Sequence, residues 1–202
     1  MKRFFVTGLL VALLCLPLFG SASALEFTLD GRTYALPLPL PELADAGWTI
    51  PQPQEQLSPG SYTVKDRLSR SDEELEVQII NLSRDDLAKA QCDVGQVTFT
   101  RDFPGDVTLP GNLSLANSKD DVFAALGTPT DLSSLPDGTE IVVYEGEAFD
   151  KVTFAFEQQT MASATLRSFT PPEGQEDSPF HLSDWLSSLS QWVTQHIPAD
   201  EP

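Results

Sequence analysis

Residues 118–129 read SKDDVFAALGTP, and the fold of the second half is inferred outward from this stretch. Ser118 and Asp121 have the spacing of a capping box, with Asp in place of the favoured Glu, so a helix is predicted to begin after Ser118. Apolar side chains then follow with helical spacing at Val122, Phe123 and Leu126. Gly127 ends this helix, and Pro129 prevents its continuation.

Three strands are predicted after this helix, at Glu140–Glu145, Lys151–Glu157 and Met161–Phe169. The middle strand alternates, with one face formed by Val152, Phe154 and Phe156 and the other by Thr153, Ala155 and Glu157. Such alternation is typical of a sheet with one face on the core.

The first half repeats this order of elements after an opening hairpin. Glu26–Leu36 alternates around Asp30-Gly31, a two-residue turn signal. A proline-dense stretch follows, in which Pro41–Ala46 is predicted to form a short helix before Gly47. A second helical patch is predicted at Arg84–Ala90, with Ser83 as its cap. The strands of this half are predicted at Ser61–Leu68, Glu74–Asn81 and Asp93–Arg101.

These elements predict an α+β fold of two tandem α-β-β-β modules with antiparallel sheets, plus a C-terminal amphipathic helix. One longer sheet with helices on one face is the alternative. The expected divisions are a signal peptide at 1–24, an N-terminal module at 25–106, a second module at 107–169, a linker at 170–179, and the helix and tail at 180–202.

The first 24 residues have the features of a cleaved secretory leader. A positive start is followed by an apolar run and by the small residues Ala22-Ser23-Ala24, so cleavage near Ala24 is expected. A retained membrane anchor is the alternative, although glycine and proline interrupt the run. The chain is therefore expected outside the cell, secreted or associated with the cell envelope. Cys92 is then the one remaining cysteine, predicted to be a small buried residue at the start of a strand.

The formal net charge of −18 becomes more negative when Lys2 and Arg3 leave with the leader. Nucleic-acid binding needs clustered basic residues, so nucleic acid is excluded as a partner. Contact with anionic membranes is disfavoured for the same reason. No cofactor is expected, because the chain has no glycine-rich phosphate loop and no Cys/His ligand spacing.

Paired acidic residues are the candidates for catalysis or for metal binding in this sequence. Two carboxylates can serve an exported hydrolase, and several can bind calcium. Glu145, Glu147 and Asp150 gather three carboxylates in six residues and are the weak metal candidates. The other acid pairs fall in predicted turns and helix starts, where solvated acids are ordinary. No catalytic residue is assigned.

The tail carries an amphipathic pattern from His181 to Ile197, HLSDWLSSLSQWVTQHI. Its apolar residues fall within an arc of about 140° on a helical projection. This stripe is the candidate partner-binding surface, for a protein partner or for self-association, with docking on its own domain and a membrane interface as alternatives. The residues assigned to it are Leu182, Trp185, Leu186, Leu189, Trp192 and Val193.

The run LSLANSKDDVFAALGTPTDL, Leu113–Leu132, resembles the SmpA/OmlA-like modules, whose fold is shared with the β-lactamase inhibitor protein. Ala116 departs from the glycine of that pattern. The resemblance covers Leu109–Phe169 and implies a module that binds proteins or supports the cell envelope, without catalysis. The first half, with FTLDGRTYALP, AGW and PGSY, looks like a companion module of uncharacterised secreted proteins of Gram-positive bacteria. The matching residues are Ser118, Asp121, Val122, Leu126, Gly127 and Pro129.

Together these observations predict an exported, non-enzymatic binding or cell-envelope-associated protein. The alternatives are an exported hydrolase with a carboxylate pair and a calcium-stabilised surface protein.

Overall fold

The structure, a computed structural model, describes residues 25–146 and 150–169. Strands dominate it. They are β1 Leu25–Leu29, β2 Arg32–Leu36, β3 Leu38–Pro39, β4 Gln56–Leu57, β5 Asp66–Arg70, β6 Glu73–Ile80, β7 Leu87–Ala88, β8 Asp93–Thr100, β9 Val107–Thr108, β10 Asp131–Ser134, β11 Glu140–Glu145, β12 Asp150–Glu157 and β13 Thr160–Ser168. The helices of the described residues are α1 Leu40–Asp45, α2 Lys119–Leu126 and a 3-10 turn at Lys89–Gln91.

The main sheet is antiparallel and runs in the order β10-β11-β12-β13-β8-β6-β5, with β3 added to the edge of β8. Its central pairing joins β13 to β8, where Leu166 lies opposite Val97 and Ala164 opposite Phe99. This pairing unites strands from both halves of the chain. A smaller sheet of β2, β1 and β9 and a two-stranded β4–β7 pair complete the architecture.

One face of the main sheet packs on the main core. That core takes buried side chains from both helices, from the β1–β2 hairpin, from β4 and from every long strand of the sheet. Aromatic rings lie at its centre: Phe99 contacts Phe27 and Phe103, with ring centroids 5.5 and 5.3 Å apart. The helices and the hairpin therefore lie on this face, which we call the core face.

Local signals of the sequence appear at the expected places. Asp30 and Gly31 have φ values of 51° and 77°, as a two-residue hairpin turn requires, and they join β1 to β2. The capping box at Ser118 is formed in full, because Asp121 accepts a hydrogen bond from the Ser118 backbone N–H at 2.8 Å. Gly127 ends α2 with a φ of 79°. Those predictions are confirmed.

The predicted fold class is wrong. The described chain is a mostly β fold with two short α-helices, of six and eight residues, and the strands of both predicted modules share one sheet and one core. The physical reason is the β8–β13 pairing. It gives hydrogen-bond partners to two edge strands that separate modules would each leave unpaired. The C-terminal helix of that prediction lies outside the described residues.

The helical patch predicted at Arg84–Ala90 is also wrong, since this segment contains β7 and leads into the 3-10 turn. Asn81 is fully buried, and its amide donates to the carbonyls of Leu57 and Asp85 at 2.7 and 2.8 Å. Its side-chain oxygen accepts from the Ser83 backbone N–H at 2.9 Å. These bonds hold the backbone in a turn that competes with a helix.

A polar cluster joins the turn of the β1–β2 hairpin to the main sheet. The Arg70 guanidinium lies 4.5 Å above the Trp48 ring and forms ion pairs with Asp30 and Glu73. Phe103 stacks near the same indole, at 6.5 Å between centroids. The hydrogen bond from Arg70 lowers the pKa of the Asp30 carboxyl below its ordinary value.

The aromatic centre of the core should dominate stability. Replacing Phe99, which is completely buried, by alanine leaves a cavity against Phe27 and Phe103. We expect Phe99→Ala to lower the free energy of unfolding by about 3–5 kcal/mol in urea titrations. The control Thr100→Ala changes an exposed side chain of the same strand and should cost about 0.5 kcal/mol or less. Equal losses in the two variants would contradict the assignment of Phe99 to the core.

The Asp30–Arg70 pair should make stability depend on acidic pH. Because the folded-state pKa of Asp30 is lowered, its contribution is complete above the ordinary pKa and is lost as the pH falls through the folded-state value. We expect Asp30→Asn to be less stable than wild type at pH 6, with the difference shrinking towards pH 3 in urea titrations. Asp45→Asn, an exposed residue of α1, should show no such convergence. A pH-independent difference for Asp30→Asn would refute the ion-pair account.

Candidate binding surface

The face of the main sheet opposite the core is the candidate functional site, and we call it the open face. The buried side chains of both helices and of the hairpin belong to the main core, so these elements lie on the other face. The open face is made of three rows of side chains that cross the strands. They are Asp131-Val143-Thr153-Thr165-Thr98-Glu76-Arg67, Ser133-Ile141-Ala155-Ser163-Thr100 and Glu145-Lys151-Arg167-Gln96-Gln78.

Short polar side chains fill the centre of the open face. Thr153, Thr165 and Thr98 are neighbours on three adjacent strands, and the hydroxyls of Thr98 and Thr165 are 3.1 Å apart, within hydrogen-bond distance. All three threonines are half-buried. Hydroxyl groups can donate and accept, so this centre can form hydrogen bonds with a partner's polar groups.

Gln78 adds an unsatisfied acceptor to this face. Its side chain is 7% exposed, and its Nε2 donates to the Val64 carbonyl at 2.9 Å. Its Oε1 accepts no hydrogen bond within the described part of the chain. Since buried acceptors are normally paired, this oxygen is a candidate contact for a bound group.

An apolar patch lies at the β11–β12 side of the open face. Ile141, Val143 and Ala155 are 3–5% exposed and form a cluster separate from the main core. Among the described residues, the apolar side chains that pack against them are Leu135 and Ala162, both only partly buried. We call these five residues the apolar patch.

A second apolar contact lies at the end of β13. The Phe169 ring packs 5.3 Å from Tyr62 and 5.9 Å from the Arg167 guanidinium. A Cβ on Gly95 would lie 2.6 Å from the Phe169 ring, so glycine is what allows the ring to lie flat on β8. Phe169 belongs to neither the main core nor the apolar patch. Phe169 follows Arg167 by two residues and therefore lies on the same, open side of the sheet.

Charges on the open face are balanced, although the whole chain is strongly acidic. Lys151 forms an ion pair with Glu145 at 3.4 Å, and Lys65, which precedes β5, forms one with Glu76 at 2.7 Å. Arg67 pairs with Glu74 at 3.3 Å. The open face is thus less repulsive to a neutral or acidic protein than the surrounding surface.

Two buried groups, Lys89 and Cys92, lack the properties of catalytic nucleophiles. Burial alone would lower the pKa of Lys89, but hydrogen bonds and charges from Glu55 and Asp66 outweigh it and raise that pKa. Burial, and to a lesser extent the charge of Asp93, raises the pKa of the Cys92 thiol. At neutral pH the lysine is therefore charged and the thiol protonated, so neither is an activated nucleophile. The prediction that Cys92 is buried beside a strand is confirmed.

A cavity of about 620 Å³ lies between the β10–β11 and β12–β13 turns, and two carboxylates, Asp137 and Glu157, line it. Asp137 accepts a hydrogen bond from the Thr139 backbone N–H at 2.9 Å, which stabilises its own turn. Glu157 pairs with Arg101 at 3.4 Å, and both side chains are well exposed. Exposed, partnered carboxylates lack the environment that separates an acid from a base in glycoside hydrolysis.

The predicted site residues are distributed as follows. Glu145 pairs with Lys151, and Asp150 accepts a hydrogen bond from the Ser168 hydroxyl at 2.5 Å. Glu147 lies outside the described residues, and within the described ranges no acidic or His/Cys group has the arrangement of a metal site. The six residues of the tail stripe, Leu182, Trp185, Leu186, Leu189, Trp192 and Val193, also lie outside the described residues.

Comparison of the chain with models of known protein families, with curated proteins and with solved structures finds no match. The SmpA/OmlA-like resemblance of the second half therefore stays a prediction. Within residues 25–146 and 150–169, neither helix is long and apolar enough to cross a membrane.

The open face was not predicted from the sequence, because the side chains at its centre are neutral hydroxyls rather than charged or reactive groups. The alternation of the strands places Thr98, Thr153 and Thr165 at outward positions, but threonine is common in strands and so does not mark a site. The positions of Gln78 and Arg167 on this face could not be predicted either, since they depend on burial and on the order of the strands.

The position of Phe169 on the open face can be tested with a double-mutant cycle. Gly95→Ala forces its Cβ against the Phe169 ring and should lower the free energy of unfolding by about 1–3 kcal/mol. Phe169→Leu shortens the side chain and relieves that clash. In urea titrations the double variant should therefore lose less stability than the sum of the single losses. Additive losses would contradict the contact between these residues.

Proposed function

We propose that the protein is an exported protein-binding protein and that the open face is its binding surface. The observation that supports this most directly is an ordered sheet with one face on the core and a second face without a layer of described helices or strands. The outer face of an antiparallel sheet is commonly polar and solvated. Here the outer face carries an apolar patch beside its hydroxyls and amides.

The size of the open face fits a protein partner. Seven strands that average about seven residues present a face of roughly 750 Å², from the usual strand spacing and rise. A stable protein interface buries about 800 Å² on each partner. A small molecule, by contrast, is usually held in a concave pocket that encloses most of its surface. A broad sheet face therefore supports protein recognition better than small-molecule binding.

The chemistry of the face supports the same proposal. Threonine side chains are short and stiff, so they lose little conformational entropy when a partner covers them. Arg167 and the buried acceptor of Gln78 give polar contacts beside them. The leader pattern at 1–24 supports export, so the expected partner is a protein of the cell envelope or the medium.

A substitution at the centre of the open face should remove this binding. Thr165→Arg introduces a long charged side chain between Thr153 and Thr98, where it would hold a partner's surface away from the sheet. The matched control is Thr128→Arg, the same change at an exposed residue beyond α2. Full-length mature protein carrying each change is used as bait for the envelope and secreted fractions, with cross-linking and mass spectrometry to locate the contact.

Proteins captured by wild type and by Thr128→Arg, but lost with Thr165→Arg, are expected, with cross-links that map to β12, β13 and β8. Thermal unfolding of all three baits checks that they are folded. If Thr165→Arg captures the same proteins as the control, the open face is not the binding surface.

A further inference from the structure

We infer that the edge strand β10 is a second contact site, at which an extended segment of a partner protein adds antiparallel to the main sheet as a further strand. The segment that fits this edge has an apolar residue followed by a basic one. The inference rests on the proposed function, in that the partner is a protein, and it names the part of that partner which the sheet binds.

β10 leaves main-chain groups unpaired along the outer edge of the sheet. The Leu135 N–H donates to the Thr139 carbonyl at 2.8 Å, in the register that pairs β10 with β11. Hydrogen-bonded positions alternate in an antiparallel pair. Ser133 therefore also bonds towards β11, whereas the N–H and C=O groups of Leu132 and Ser134 point away from it. Within residues 25–146 and 150–169, none of these four groups has a hydrogen-bond partner. An added strand is the arrangement that pairs all of them.

The opposite edge of the main sheet is protected, which distinguishes it from β10. On β5, the Ser69 carbonyl accepts a hydrogen bond from the Thr49 N–H at 2.7 Å, and the Ser69 N–H donates to the Thr49 carbonyl at 3.1 Å. Arg67 adds a charged side chain to the same strand. β10 contains neither lysine nor proline, and all four of its residues are exposed. Strand addition is therefore blocked at Ser69 and open at β10.

Both ends of β10 are held to β11, so the edge is ordered before a partner arrives. At the first end, the Thr130 N–H donates to the Val143 carbonyl at 2.8 Å, and the Thr130 hydroxyl accepts from the Glu145 N–H at 3.0 Å. The bond from Leu135 fixes the second end. A preordered edge loses little conformational entropy when a strand is added to it.

The side chains of β10 define the chemistry of the segment that fits it. Leu132 lies on the core face, opposite buried Val142, yet it is 51% exposed at the margin of the sheet. A cross-strand neighbour that covers Leu132 should therefore be apolar.

Asp131 lies on the open face and is exposed. It forms no ion pair with any residue that the structure describes. A basic neighbour would complement its charge. In an antiparallel added strand, the residue opposite Leu132 directly precedes the residue opposite Asp131. The added segment therefore has the apolar residue first and the basic residue second.

A second copy of this chain fits the edge less well than such a segment. The whole chain has a formal net charge of −18, so two copies repel each other. Two four-residue strands paired edge to edge also bury far less than the about 800 Å² that each partner buries in a stable interface. A partner that adds a strand can bury more, because the open face adjoins β10 through Asp131 and Ser133.

The test uses peptides selected from a random library on the full-length mature protein and then resynthesised with a fluorescent label. Ser134→Pro removes an outward N–H, and proline is tolerated at such an edge position. Ser134→Ala is the matched control, because it keeps the N–H. We expect Ser134→Pro to weaken peptide binding about tenfold or more in fluorescence anisotropy, and Ser134→Ala to change it less than about twofold. Thermal unfolding checks that both variants are folded.

N-methylation of the selected peptides tests the pairing without changing the protein. An added strand points every second N–H towards β10, so methyl groups at alternate residues should abolish binding, and methyl groups at the residues between them should not. A peptide bound as a helix would not show this period of two. The absence of this period, the absence of any selected peptide, or equal binding to Ser134→Pro and Ser134→Ala would overturn the inference.

Further variants separate this inference from the proposed function. Peptides that bind Ser134→Pro but not Thr165→Arg would contact the open face, which overturns the edge site and leaves the proposed function intact. Peptides lost with Ser134→Pro and kept with Thr165→Arg support the edge site, even if the capture experiment fails. A wild-type dimer that dissociates in Ser134→Pro, measured by sedimentation velocity, would make a second copy the occupant and overturn the inference.

Discussion

The antiparallel pairing of β13 with β8 is the interaction on which the rest of the structure depends. It brings Ser163–Arg167 beside Gln96–Thr100 and turns two groups of strands into one sheet. The core follows from it, since Phe99 and Leu166 can be covered by the same hairpin and helices only when their strands are neighbours. The threonine centre of the open face follows as well, because Thr98 and Thr165 meet across this pairing.

Local parts of this fold could be predicted from the sequence, whereas the sheet could not. The Asp30-Gly31 turn and the Ser118 cap depend on neighbouring residues, so their chemistry is visible within a few positions. The choice of β13 as the partner of β8 joins residues 67 positions apart, and no local pattern specifies it. The prediction of two modules was wrong for this reason. The alternation of β12 also predicted its polar face, but no sequence pattern indicated that this face lies opposite the core of one continuous sheet.

The two faces of the sheet have different roles, the core face in stability and the open face, in the proposed function, in binding. Large aromatic and branched side chains on the core face stabilise the fold, and the Arg70 cluster holds the hairpin against that side. The open face contributes less to the core, so its residues can be selected for contact. Buried Lys89 and Cys92 belong to the stabilising part, since their protonated states at neutral pH leave them without nucleophilic chemistry.

The order of strands along the chain also determines when the sheet can close. β8 is synthesised well before its partner, and at about 5–20 residues per second the 67 residues between Thr98 and Thr165 take roughly 3–13 s. During this interval β5, β6 and β8 form at most a partial sheet, with one edge of β8 unpaired. Unpaired edges readily pair with other chains, so the emerging chain passes through an interval in which aggregation competes with folding.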